Sequence, residues 1–368
     1  MISEVVRRFD FPFSFLPFET FRRAARLGVV LVLLGTSIAP ARAESGGGGG
    51  DTQNAEPISA RQAVKQAEKL ARRGSYIESE QLLRRALAQH PNESRIKTRL
   101  AFVLMKQKRL LDAYDLSFEV ARAEPQNAYA FAVLGTTLLN AGNFKEAYIC
   151  FVNALKIDKS EALAWAGLGM LDFYENRIEQ SQQNLCIAEY REPDEPDYVY
   201  ALAQVSSRAE KYKEAADAYD RFLQISPQTD TERRSRIKGL INFLRYLGSK
   251  QSLYLTAGEE KTVVPIKLLR DRPVIEVKIG KHPEPLRFVL DTGSGISVIS
   301  DETSRRLDIK PITKGGLARA IGGNGKFQIV YGFLRQISIG DVKIQNVPVY
   351  IRKFHENDER IDGYIGLG

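Results

Sequence analysis

The sequence predicts a multidomain chain, with an all-α solenoid of stacked helical hairpins followed by an all-β barrel of short strands. Three observations predict it. Pro91, Pro125, Pro193 and Pro227 are spaced by 34, 68 and 34 residues, which is the signature of an internal repeat. After Gly248 the apolar period changes to two, the alternation of a half-buried strand. Within that second part the short apolar run Arg287–Leu290 leads directly into Asp291-Thr292-Gly293-Ser294.

The 368 residues suffice for two domains at roughly 100–200 residues each. Hydrophobic residues make up 43% and charged residues 27%, so each half can bury a core. Of the formal net charge of +8, residues 1–43 contribute +3, six Arg against three acids. No long Lys/Arg block interleaved with aromatics follows, which argues against nucleic-acid binding. His90, His282 and His355 are far apart, and no CxxC, HExxH or phosphate-loop motif is present. Neither a metal nor another cofactor is expected.

Residues 1–43 read as a secretory signal. Arg22, Arg23 and Arg26 precede the apolar run Leu27–Ile38, and Ala41-Arg42-Ala43 supplies small residues for cleavage after Ala43. The run is shorter than the roughly 20 residues a spanning helix needs. No membrane association is expected unless the signal stays uncleaved. Export implies a periplasmic or extracellular protein in an oxidising space, where Cys150 and Cys186 could pair or stay as two small apolar residues. Residues 44–57, with Gly46 to Gly50, read as a flexible linker.

Residues 58–248 carry the repeats. With the prolines at position 32 of a 34-residue unit, position 20 is Ser79, Ala113, Ala147, Ser181 and Ala215. Position 8 is Ala67, Ala101, Gly135, Gly169 and Ala203, and position 7 is leucine at 100, 134, 168 and 202. Small residues recur where two helices approach, and large ones where the next unit must be covered. Gly74-Ser75-Tyr76, Gly142-Asn143-Phe144 and Glu210-Lys211-Tyr212 read as the turns inside the hairpins. Trp165 reads as core, and Thr231–Leu247 as a capping helix. This part resembles the tetratricopeptide-repeat (TPR) family over about 170 residues. The resemblance implies a protein partner on the concave face of the first helices of the units.

Residues 249–368 read as strands at 261–269, 273–279, 287–290, 296–299, 326–331, 333–339 and 342–350, with a helix from about Asp301 to Leu307 capped by Ser300. Amide hydrolysis without a metal or a Ser/His or Cys/His pair leaves water activated by a carboxylate. Two carboxylates held close share one proton. Such a group needs a rigid turn, which Asp291 has. Thr292 could bridge loops through its hydroxyl, Gly293 could admit close backbone approach, and Ser294 could hold the carboxylate by a hydrogen bond.

Phe288-Val-Leu-Asp-Thr-Gly-Ser294 resembles the active-site loop of the bacterial retropepsin-like aspartic proteases, and Asp362-Gly363-Tyr364-Ile365-Gly366 resembles their second landmark. The resemblance spans about 110 residues. It implies Asp291 as the catalytic residue, a landmark segment threaded beside the active-site turn, and a flap at Gly322, Gly323, Asn324 and Gly325. Only one Asp-Thr-Gly is present, so the dyad needs a second Asp291 from a homodimer partner or a missing lobe. The family pattern continues past its landmark, so a chain ending at Gly368 reads as C-terminally truncated. The function expected is an aspartic endopeptidase acting on peptide or protein substrates. The alternative is a TPR scaffold whose protease-like domain serves dimerisation or peptide binding.

Overall fold

The computed structural model describes residues 59–250, 252–259, 261–319, 326–354 and 361–366. The signal and linker segments and the four flap positions lie outside the described residues. Eleven helices come first: α1 (Ala60–Arg72), α2 (Tyr76–Gln89), α3 (Ser94–Lys106), α4 (Leu110–Ala123), α5 (Ala128–Asn140), α6 (Phe144–Ile157), α7 (Ala162–Tyr174), α8 (Ile178–Arg191), α9 (Pro196–Arg208), α10 (Tyr212–Ile225) and α11 (Thr231–Gly248). Among the described residues, no helix is long and apolar enough to cross a membrane. The chain forms two compact units, residues 59–205 with 225–229, and residues 206–224 with 230–366.

In the first unit, each hairpin turns on one residue in the left-handed region. Gly74, Lys108, Gly142 and Asn176 have φ of 79°, 64°, 83° and 59° and lie 34 residues apart. The next residue's N–H reaches back five positions, from Ser75 to Leu70, Arg109 to Leu104, Asn143 to Leu138 and Arg177 to Asp172, at 2.8–3.0 Å. This is the Schellman closure, which satisfies carbonyls that the helix end leaves open. Glycine takes that conformation freely, whereas Lys108 adopts it at a cost of about 1 kcal/mol. The second helices end with His90, Glu124 and Glu192 donating to Ala86, Val120 and Ala188. The prolines that follow cannot extend the helix.

Packing accounts for the small residues. A Cβ on Gly135 would lie 2.7 Å from the Phe151 ring, and one on Gly169 would lie 2.6 Å from Leu185. Ser79 and Ser181 donate across the hairpin to the carbonyls of Ala67 and Gly169, at 2.9 and 2.7 Å. Leu100, Leu134, Leu168 and Leu202 are all buried. Trp165 is less enclosed than expected. It packs on the core edge and donates its indole N–H to the Lys159 carbonyl at 2.9 Å, which keeps the ring beside the turn. Cys150 is buried and its thiol pushed up to about 12 by that burial, while Cys186 is exposed.

The second unit holds α10, α11, a short helix α12 (Asp301–Arg306) and nine strands: β1 (Leu255–Gly258), β2 (Lys267–Leu269), β3 (Arg272–Ile279), β4 (Leu286–Asp291), β5 (Ser297–Ser300), β6 (Thr313–Arg319), β7 (Lys326–Ile339), β8 (Val342–Arg352) and β9 (Gly363–Gly366). Neighbours run β1-β8-β5-β9-β4-β3-β7-β6, and β7 also pairs with β8. That pairing closes β8, β5, β9, β4, β3 and β7 into a barrel. Its core includes Ile275, Val277, Phe288, Ile299, Val347 and Val349.

Three strand expectations change. The run 261–269 pairs only at its end, because Pro265 lacks a donor and Val263 is 98% exposed. The two strands expected at 326–339 are one, with Gly332 inside the ladder opposite Val349, where a Cβ would press on Ile351 at 2.9 Å. The strands β1 and β6 were not expected.

The helix α11 caps α10, with Arg234 donating to the Leu223 carbonyl at 2.7 Å and the Arg233 guanidinium over Phe222. It also seats the barrel. A Cβ on Gly239 would lie 2.2 Å from the Lys314 carbonyl, and one on Gly316 would lie 2.6 Å from that of Ser235. Phe243 stacks on buried Tyr331 at 4.5 Å between centroids. Tyr331 is thus a packed strand residue.

Candidate active site

The strand β4 carries Asp291 to its end. Phe288 and Val289 are buried and anchor the strand, and Asp291 itself is half-buried. The strand β9 lies between β4 and β5. It is parallel to β4, with Phe288 opposite Gly363 and Asp291 opposite Gly366, and antiparallel to β5. The second landmark is therefore threaded beside the active-site turn. Only glycine fits there. A Cβ on Gly363 would sit 2.2 Å from Phe288 Cε1 and 2.5 Å from the Val298 carbonyl, and one on Gly366 would sit 2.6 Å from the Ser294 carbonyl. Gly363→Ala should therefore destabilise the second unit by more than about 3 kcal/mol, measured by urea unfolding.

The turn differs in detail from the sequence reading. The Gly293 N–H donates to Asp291 Oδ1 at 3.0 Å and so orients the carboxylate. Ser294 Oγ donates to the Ile296 carbonyl at 2.8 Å, so it ties the turn to the following strand and does not hold Asp291. A Cβ on Gly293 would meet only Asp291 Oδ1, at an ordinary 3.5 Å. Among the described residues, the close approach expected at Gly293 is thus absent. Thr292 is exposed, and among the described residues its hydroxyl has no partner.

Sequence reasoning placed Asp362 at the head of the second landmark but gave it no role of its own. It is buried, with 4% of its surface exposed. Its Oδ2 accepts from the Arg287 N–H at 2.9 Å, and its Oδ1 accepts from Thr303 Oγ1 and Arg306 Nη2, both at 2.8 Å. Ser300 caps α12 by accepting from the Thr303 N–H at 2.9 Å. One carboxylate thus joins β4, α12 and the entry to β9. The available signal was an acid directly before a glycine-bounded apolar pair, facing a basic last turn in α12.

The first helices of the repeats form a second site. Lys106 on α3 reaches Glu195 at 3.5 Å and also Asp197, at the start of α9. An ion pair spanning that many repeats requires the face to curl inward. Arg99 pairs with Glu68 and sits 4.7 Å from the Tyr129 ring centroid. Burial, with Glu192 and Asp158 nearby, pushes the Glu161 carboxyl up to about 7. Burial also raises Glu192, with Glu195 adding to it.

A carboxyl raised in the folded state holds a proton that the unfolded chain has lost, so its contribution to stability falls as pH rises from about 4.5 to about 7. Glu161→Gln should therefore stabilise the protein by on the order of 2 kcal/mol above that window, with the gain fading below it, in urea titrations at both pH values.

Together, fold and site define a TPR-like helical array followed by a β-rich, aspartyl protease-like C-terminal domain. Residues 275–368 match the family model described as aspartyl protease. No curated relative matches the chain. The helical part is similar to a thermophilic TPR protein of Thermus thermophilus, at 19% identity over 48% of this chain and 96% of that one, with a TM-score of 0.42. PilF of Pseudomonas aeruginosa is similar at 18% identity over 51% and 86%, with a TM-score of 0.37. YrrB, described as a TPR protein with an unusual peptide-binding site, is similar at 18% identity over 48% and 89%, with a TM-score of 0.29.

Proposed function

We propose that the protein is an exported aspartic endopeptidase, periplasmic or extracellular, acting as a homodimer with a helical array that recruits substrate or regulator. The observation that carries the reading is Asp291 at the end of β4, on a turn closed by the Gly293 N–H and flanked by threaded β9. Two such carboxylates, one from each copy, would share one proton. The ionised one takes a proton from water, whose oxygen attacks the scissile carbonyl. The protonated one donates to the carbonyl oxygen, and the leaving nitrogen is protonated as the C–N bond breaks. The exposed Thr292 hydroxyl, without a partner among the described residues, supports a second copy meeting this turn.

Co-expression of wild type with Asp291→Asn in equal amounts tests the arrangement. A shared dyad leaves activity in only about a quarter of the dimers, as random pairing on a two-fold axis requires. Activity at about half, the sum of independent chains, would exclude a site built from two copies.

A further inference from the structure

Carboxylates recur at the repeat period along the turns that lead into α3, α5, α7 and α9. Glu124, Asp158 and Glu192 lie 34 residues apart, and Glu93, Glu161 and Glu195 share the slot three residues further on, with Asn127 in its remaining place. Local bonds account for some of them. Glu124 accepts from Ser94 and Asn127, and Asp158 accepts from the Ser160 N–H at 2.8 Å. Glu161 accepts weakly from the Leu163 N–H at 3.3 Å.

Two cations of this face are already committed, Arg99 to Glu68 and Lys106 to Glu195 and Asp197. Among the described residues, no Lys or Arg forms a salt bridge with Glu161 or Glu192. Glu161 is partly buried and is raised further by Glu192, and the cation that acts on both, Arg99, is already paired with Glu68, so among the described residues neither carboxylate has a salt-bridge partner of its own. The Tyr129 hydroxyl is buried with no hydrogen-bond partner, and Arg99 Nε likewise. The charges acting on that hydroxyl include Arg99, Glu161, Glu192 and Glu68. A buried polar group without a partner is costly and rare. Tyr129 and Glu161 line one open cleft of about 880 Å³, together with Glu93, Glu124, Asp158 and a single cation, Arg95.

We propose that this face binds an extended basic peptide segment, seating one Lys or Arg side chain against Glu161, Glu192 and the Tyr129 hydroxyl. An ammonium or guanidinium group gives Glu161 a direct ion-pair partner and donates to the phenol oxygen. The cleft runs from Asn92 to Glu161, across successive repeats, and its carboxylates recur with them. An extended chain with spaced cations matches that row, whereas a single small cation fills one place in it. The inference deepens the recruiting role proposed for the array and is independent of hydrolysis.

The test uses the full chain carrying Asp291→Asn, so that a bound peptide survives whether or not the wild type cleaves it. The probe is a fluorescein-labelled peptide of alternating Lys and Ala, with a Glu/Ala peptide as its counterpart, read by anisotropy at low salt. The Lys peptide binds and the Glu peptide does not. Glu161→Gln combined with Glu192→Gln weakens binding by about tenfold or more, and Tyr129→Phe by several-fold. Both variants melt at or above the parent temperature, because one loses the raised Glu161 carboxyl and the other the unpartnered Tyr129 hydroxyl, and a merely structural role would lower melting instead. Glu232→Gln, an exposed acid of α11 paired with Arg236, leaves affinity unchanged. Failure of the Lys peptide to bind, unchanged affinity in the double variant, or an equal loss in Glu232→Gln would overturn the proposal.

Discussion

Asp291→Asn is expected to lower the turnover of peptide cleavage at acidic pH by about 10³-fold, the scale of a lost general acid–base group. The amide has the same outline as the carboxyl, and its oxygen still accepts from the Gly293 N–H, the one bond that the structure gives to Asp291 Oδ1. It can neither ionise to take a proton from water nor share a proton with a facing carboxylate. Asp291 is only half-buried and makes no salt bridge among the described residues. Stability should therefore be unchanged, so that any loss of rate is chemical. Steady-state cleavage of a fluorogenic peptide, alongside thermal melting, measures both. Cleavage that persists at the parent rate would remove Asp291 from the reaction.

Asp362→Ala is expected to act in the opposite way, with a large loss of stability. The change leaves the Arg306 guanidinium, the Thr303 hydroxyl and the Arg287 N–H without the oxygens that now satisfy them. Removing one partner from a buried charge pair costs about 3–5 kcal/mol, because the other charge stays desolvated. The main-chain bonds at the same point add to the sensitivity, since Ser300 donates to the Asp362 carbonyl and Asp362 donates to that of Arg287, both at 2.8 Å. Asp362→Asn keeps an acceptor but removes the charge opposite Arg306, and should lose less. Urea unfolding of both variants checks the order. A loss below about 1 kcal/mol in Asp362→Ala would show that water replaces the carboxylate cheaply.

The repeats were legible because stacking forces the same small or large residue into the same slot every 34 positions. The turn geometry was legible only where glycine marks it. Gly74 and Gly142 signal the left-handed residue, but Lys108 and Asn176 adopt it without a compositional sign. In the barrel, β4 and the segment before β9 stood out because an apolar run meets an acid and glycines. The sequence Thr313–Arg319 hid its strand, since Lys314-Gly315-Gly316 breaks the alternation. Those glycines exist to let the strand lie against the backbone of α11 and the Tyr331 ring. The thiol pair, Tyr129 and Asp362 show a different limit. Pairing, burial and unmet hydrogen bonds depend on neighbours that are distant in sequence. The role given to Ser294 failed for the same reason, because a nearer carbonyl, that of Ile296, took its proton.

The helix α11 belongs to two architectures at once. It closes the last hairpin and is the floor on which β6 rests, with main chain touching main chain at Gly239 and Gly316. A gene cut just after Gly248 would therefore remove the support of the barrel while preserving the Asp-Thr-Gly turn and the strand threaded beside it. Any transplant of the protease-like half must carry its helical footing from about residue 206 onward.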